Sequence, residues 1–249
     1  MTLYSITQQV DKFTNVLIKR IEDYWVSLDE EDDDVERLIF GLSGKKISDI
    51  RTYVTDKWTE YGWVPILPTF QGKDILKNII PPDTVEKADA ILLKELTTET
   101  QEELFRVLTH YVKKSNHNEE TLLEAILSYK NGFYSACSVL IFALIDACFL
   151  TGQPIKTGKR RELANGAAKN KIDVPDSLIL SSAEITLKIV KTLFSNGRDF
   201  NLTNEKGLNR NFISHGMNRY NPDNKDCLKL FVLLFNIYLL FDTEVFAWK

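Results

Sequence analysis

The stretch Gly207-Leu208-Asn209-Arg210-Asn211-Phe212-Ile213-Ser214-His215-Gly216 places an arginine, an amide and a histidine within one short segment. An imidazole with an unperturbed pKa of about 6.5 takes or gives a proton near neutral pH, so His215 is a candidate general acid or base. A guanidinium stays charged throughout and offers a planar fork matched to two phosphate oxygens, which makes Arg210 a candidate for binding an anionic centre. On a helix, Asn211 and His215 lie about 40° apart and the amide can orient the ring; Arg210 lies about 140° from His215, so its stem must curl back or the helix must be distorted. Ser214, four residues after Arg210, is its natural neighbour and a weak phosphate contact. The bare spacing is unspecific: nine arginines and three histidines in 249 residues give about 0.1 such pairs by chance. A histidine just before a helix-ending glycine also suits a purely structural role against the helix dipole. His110, late in an amphipathic helix, and His117, between asparagines in a turn, read as solvated or capping residues.

The elements that must carry this segment follow period 3.6. Val10, Phe13, Val16, Leu17, Ile21 and Trp25 mark a first amphipathic helix over residues 6 to 28, and Asp29 to Asp34, six consecutive carboxylates, form a solvated linker. Further helices are expected over 48 to 61, over 84 to 96 with Asp83 as N-cap, and over 100 to 114, where Thr98 with Gln101 or Thr100 with Glu103 fits a capping box. A long helical stretch over 119 to 151, open to interruption at Asn131-Gly132, carries Leu123, Ile126, Leu127, Phe133, Ala136, Cys137, Leu140, Ala143, Leu144 and Ala147 as a wide core face. Helices over 181 to 194, 208 to 215 and 225 to 248 complete the chain, with Gly216 ending the signature helix in the left-handed conformation. Asp146 closes a seven-residue apolar run; it pairs with a partner such as Arg210 if drawn into the core, or lies at the helix surface. The last helix, with Leu228, Leu230, Phe231, Leu233, Leu234, Ile237, Leu239 and Leu240, is more apolar than one face requires. It is either covered in part by a partner protomer or the central helix of a bundle. The fold class is all-α.

Arg210-Asn211-x-x-x-His215-Gly216 resembles the signature of the HEPN superfamily, the helical nucleotide-binding bundles of prokaryotic toxins and defence systems. The resemblance extends to Ala125 through Ala136, to Leu144-Ile145-Asp146 and to the apolar last helix, covering residues 98 to 249. Residues 1 to 97 form an additional, mostly helical N-terminal region of unknown role. The resemblance implies a HEPN-like helical bundle and a metal-independent endoribonuclease without cofactor, acting as a homodimer that brings two signature helices together across a cleft. Arg210, Asn211 and His215 are then the catalytic residues, with Asp146 as a possible orienting carboxylate. One His cannot readily make both proton transfers of cleavage by the RNA 2'-hydroxyl, and two-fold symmetry supplies a second His215. The resemblance also points to a toxin or anti-phage effector with RNA as substrate and an antitoxin or regulatory protein as a possible partner.

Lys156, Lys159, Arg160, Arg161, Lys169 and Lys171 make the main basic cluster; Lys159, Arg160 and Arg161 can hold an RNA backbone, or the cluster is a solvated loop. Beyond Gly216, Arg219 is a second phosphate contact and Tyr220 a stacking face for a base. Composition bounds the rest: 44% apolar and 27% charged residues with a net charge of −4 describe a folded globular chain rather than a general nucleic-acid binder. Its apolar runs fall short of the ~20 residues of a membrane span. Residues 1 to 6 carry no basic leader, so the expected location is the cytoplasm. Cys137, Cys148 and Cys227 read as buried thiols rather than a disulfide framework, and the scattered cysteines and histidines show no zinc spacing. Two competing functions remain: a catalytically silent HEPN-like domain that binds RNA, a nucleotide or a protein, and a purely structural, oligomerising helical protein. Trp58, Tyr61, Trp63 and nearby prolines belong to a recognition module or, more simply, to the core.

Overall fold

A computed structural model of the protein describes residues 47–68, 81–151, 178–194, 207–214, 216 and 220–242, with side chains placed for 52–68, 81–149, 184–194, 207–214, 216 and 220–239. The first amphipathic helix, the acidic run and the basic cluster lie outside the described residues. What is described is helical: α1 (Ile47–Tyr61), α2 (Val85–Glu95), α3 (Thr98–Lys114), α4 (Glu119–Lys130), α5 (Tyr134–Thr151), α6 (Leu178–Leu193), α7 (Arg210–Ser214) and α8 (Asn224–Asp242), with no strand among the described residues. No helix among them is long and apolar enough to cross a membrane.

Local chemistry sets the helix ends. Thr84, rather than Asp83, caps α2 by accepting from the backbone N–H of Lys87, while the Asp83 carboxylate pairs with the Lys87 ammonium. Thr97, rather than Thr98 or Thr100, caps α3 by accepting from the Thr100 N–H; Gln101 reaches back to the Leu96 carbonyl. Thr84, one residue after Asp83, holds the extended geometry, while Thr97, one residue before Thr98 and three before Thr100, caps at φ −59° and ψ 167°. The long stretch over 119 to 151 is broken into an antiparallel hairpin. Gly132 takes φ 78° and donates to the Tyr129 carbonyl, while Phe133 donates to the Ser128 carbonyl, closing α4 in a left-handed cap that a Cβ would strain.

α8 is the axis around which the rest is assembled. It packs on α5, α3 and α6; α4 folds back on α5 and contacts α3, α1 lies on α6, and α7 rests on α5. Residues 230 to 238 are all buried by the chain itself, so α8 is the central helix of the bundle and this stretch leaves no face for a partner protomer. Phe105, Tyr129 and Phe231 meet edge to face, the closest pair 4.9 Å between centroids. Trp58, Tyr61 and Trp63 are core residues. They belong to a hydrophobic cluster that runs from Val54 to Tyr238, so the described residues on both sides of position 97 share one core.

The expected core face of residues 123 to 147 is corrected in part. Cys137 and Leu144 are buried and Ile126 and Leu140 pack partly against the core, but Leu123, Leu127, Phe133, Ala136 and Ala143 are exposed. α5 is apolar nearly all round, so its sequence does not say which side turns inward. The hairpin turns Ile141, Phe142, Ile145 and Cys148 to the core and Ala136, Val139 and Ala143 out.

Candidate active site

α7 is short because it is capped at once. The Asn209 side-chain oxygen accepts from the backbone N–H of Asn211 and of Phe212, which starts the helix at Arg210, two residues later than the periodicity indicated. Phe212 and Ile213 are buried, and Ile213 joins the core cluster and pins the turn to the bundle. Gly216 donates to the Ile213 carbonyl with φ 65°, the left-handed exit its position called for.

On this turn the Arg210 side chain leaves the helix and reaches α5. Its Nη2 donates to Asp146 Oδ2 at 2.7 Å and its Nη1 to Asn211 Oδ1 at 3.1 Å, with the two charged side chains only 19% and 12% exposed. Of the two placements open to Asp146, the structure has the paired one: the carboxylate is 8% exposed as a whole residue, and Arg210 is the cation beside it. The Arg210 Nε–H is buried and meets no acceptor among the described residues. Arg210, Asn211 and Asp146 are thus brought together, and the amide oxygen of Asn211 is engaged by the guanidinium. Ser214 is exposed at the end of α7. His215, Arg219, Lys159, Arg160 and Arg161 lie outside the described residues.

Tyr220 has a partner that spacing did not reveal. Its hydroxyl donates to Asp226 Oδ2 at 2.8 Å, so one edge of the ring is held against the start of α8. The backbone N–H of Asp223 donates to that same oxygen and the N–H of Asp226 donates to Asp223 Oδ1, a reciprocal cap whose only sequence signal is an Asp-x-x-Asp spacing before an apolar run. Burial pushes both the Asp226 carboxyl and the Tyr220 hydroxyl up from their ordinary values.

A second polar cluster joins the N-terminal part to α8. Asp89 accepts from the buried Trp63 indole at 2.7 Å and from Lys225 at 2.6 Å, and pairs with Lys229 at 3.1 Å. Lys229 also donates to the Tyr61 carbonyl and lies over the Trp63 ring. Burial alone would raise the Asp89 carboxyl, but the hydrogen bonds from Lys225 and Trp63 and the charge of Lys229 outweigh it and hold it below its usual value. The lysines differ: burial pulls Lys229 down, whereas the hydrogen bond to Asp89 raises the more exposed Lys225. Sequence patterning gives no sign of this cluster, whose members lie far apart in the chain.

His110 is exposed, as its position indicated. His117 is not the solvated turn residue expected: it is half-buried, its Nδ1 is 2.7 Å from the Tyr238 hydroxyl, and burial lowers its pKa. The bend that carries it inward is set by Asn116, at φ 55°. The three cysteines are free and buried, as their apolar surroundings indicated. Burial pushes the Cys148 thiol up to about 12, which makes it a poor nucleophile at neutral pH. Among the described residues no three His, Cys, Asp or Glu gather to hold a metal ion. No protein-family model, curated protein or solved structure matches this chain.

Proposed function

We propose that this chain is a metal-independent endoribonuclease of the HEPN type, a toxin or anti-phage effector that works as a homodimer. The observation that carries this reading is the meeting of Arg210 and Asn211, on the short helix that leads into His215, with Asp146 of α5. In the proposed reaction the RNA 2'-oxygen bonds to phosphorus as the bond from phosphorus to the 5'-oxygen breaks. One His215 takes the 2'-hydroxyl proton and the second protomer's His215 protonates the leaving oxygen, giving a 2',3'-cyclic phosphate and a free 5'-hydroxyl. Arg210 stabilises charge on the phosphorane oxygens, with Asp146 fixing its direction. Lys159, Arg160, Arg161 and Arg219 hold the backbone, Ser214 adds a weak contact, and Tyr220 offers its ring face to a base.

One observation favours the second reading, a catalytically silent HEPN-like domain that binds RNA, a nucleotide or a protein: Arg210 is already neutralised by a buried carboxylate, as a purely structural arginine would be. Incubation of the purified protein with RNA in EDTA separates the two. Fragments ending in 2',3'-cyclic phosphate that disappear in His215→Ala support the enzyme; no cleavage by the folded wild type supports the silent domain. Arg210→Ala is best made together with Asp146→Ala, because the single change strands a buried carboxylate. Cleavage that persists in both the His215 and the paired variants refutes the site.

A further inference from the structure

Large apolar side chains reach solvent mainly on one supersecondary unit. Leu123 and Leu127 on α4 are 51% and 62% exposed, Phe133 in the turn 66%, and Val139 on α5 40%; among the described residues only Ile91 on α2 joins them. At roughly 200 Å² for a large apolar residue in full exposure, the four side chains leave about 400 Å² open to water. A patch of that size rimmed by charge marks a surface that binds another molecule.

The rim is acidic. Glu120, Leu123, Glu124 and Leu127 follow one another at i, i+3, i+4 and i+7, all four exposed, and share an arc of about 100° on α4. Glu119 on the same helix is paired with Lys113, and Lys130 with Glu102, but neither Glu120 nor Glu124 forms an ion pair among the described residues. α5 carries no basic residue. The hairpin thus sets two open carboxylates beside its leucines and no open cation.

We infer that this face docks a partner of complementary chemistry: an amphipathic helix of another protein that lays an apolar stripe on Leu123, Leu127 and Phe133 and sets Lys or Arg against Glu120 and Glu124. Helix-to-helix recognition uses anchors at this spacing. The carboxylates decide against other occupants. They repel an RNA backbone, and a two-fold copy meeting hairpin to hairpin brings them no cation, because Lys130 is already held by Glu102. The docking rests on exposure and charge and does not depend on the ribonuclease reading.

The probe is a fluorescein-labelled helical peptide of about 20 residues, leucine on one side and lysine on the other, titrated into the full chain and read by anisotropy. The lysine peptide binds and its leucine–glutamate counterpart does not. Leu127→Glu and Phe133→Glu change exposed side chains, so circular dichroism melts stay near wild type, and each weakens binding about tenfold or more. Glu120→Gln with Glu124→Gln weakens it about five- to tenfold and flattens its salt dependence. Ile91→Glu, at a position 37% exposed on α2, leaves it unchanged. Absence of binding, equal binding of the two peptides, or binding indifferent to Leu127→Glu and Phe133→Glu overturns the inference. Sedimentation velocity is the second arm: an oligomeric state unmoved by Leu127→Glu supports an unlike partner, and a dimer that this substitution splits gives the face to a second copy and overturns it.

Discussion

Replacing Asp89 by alanine removes the acceptor on which three donors converge. Trp63, 0% exposed, would keep a buried indole N–H with no acceptor there, a loss of about 1–3 kcal/mol. Lys229, whose side chain is 15% exposed, would be left with the Tyr61 carbonyl and the Trp63 ring; stripping the partner from a buried charge costs about 3–5 kcal/mol. Lys225, 35% exposed, turns to water and adds little. These losses overlap within one network, so the expected total is about 4 kcal/mol. For a chain of this size that is a fall in melting temperature of about 8–16 °C. Thermal melts by circular dichroism and guanidinium midpoints measure it. Lys229→Met in the Asp89→Ala background should recover part of the loss, since no uncompensated charge then remains. The gap between wild type and Asp89→Ala should also close in acid: a carboxyl held below 3.8 in the fold stabilises the protein above that value and ceases to do so as pH falls through the lowered one. Asp226, raised in the fold, acts in the opposite sense and is relieved by acid. A loss below about 1 kcal/mol on removing Asp89, with no recovery in the double variant, would refute the argument that this cluster is desolvated.

Other outcomes follow from single contacts. Asp146→Asn keeps the shape but not the charge beside Arg210, and should slow RNA cleavage about 10–100-fold while the protein stays folded, measured as kcat against KM on a defined RNA. Burial lowers the His117 pKa below its ordinary 6.5, so on acidification the unfolded chain takes up the proton first and stability drops as pH falls below 6.5. His117→Gln should flatten this part of a stability–pH curve measured by denaturant titration. Gly132→Ala meets open space but requires a left-handed alanine, so it should cost roughly 1 kcal/mol without loss of the fold.

The all-α class, most helix spans and the exit at Gly216 were legible because they depend on local patterns: apolar periodicity, glycine after a last turn, prolines between elements. The cap of α2 falls one residue from Asp83 and that of α3 one residue from Thr98 and three from Thr100, since neighbouring threonines and aspartates are equivalent until backbone geometry chooses among them. The outward face of α4 and α5 was hidden by uniform apolarity, which specifies burial without direction. At the site, Arg210 and Asn211 were visible as a pair and Asp146 as a carboxylate in need of a partner. Their meeting depends on α7 lying across α5, a tertiary fact. Tyr220 with Asp226 and His117 with Tyr238 were missed for the same reason: each joins a loop residue to a helix whose orientation no spacing encodes.

The long reach of α8 governs when the structure can form. Its Lys229 and Asn236 bind the carbonyls of Tyr61 and Ile66, 168 and 170 positions earlier in the chain. Closing such distant contacts is slow and brings little reward until both ends are present. During synthesis Asp89 therefore waits for Lys225 and Lys229 while more than a hundred residues emerge, and the central packing closes only when α8 leaves the ribosome. Arg210 and Asp146 are made before that moment but gain a finished bundle around them only after it. A nascent chain thus lacks the completed fold on which the proposed nuclease depends.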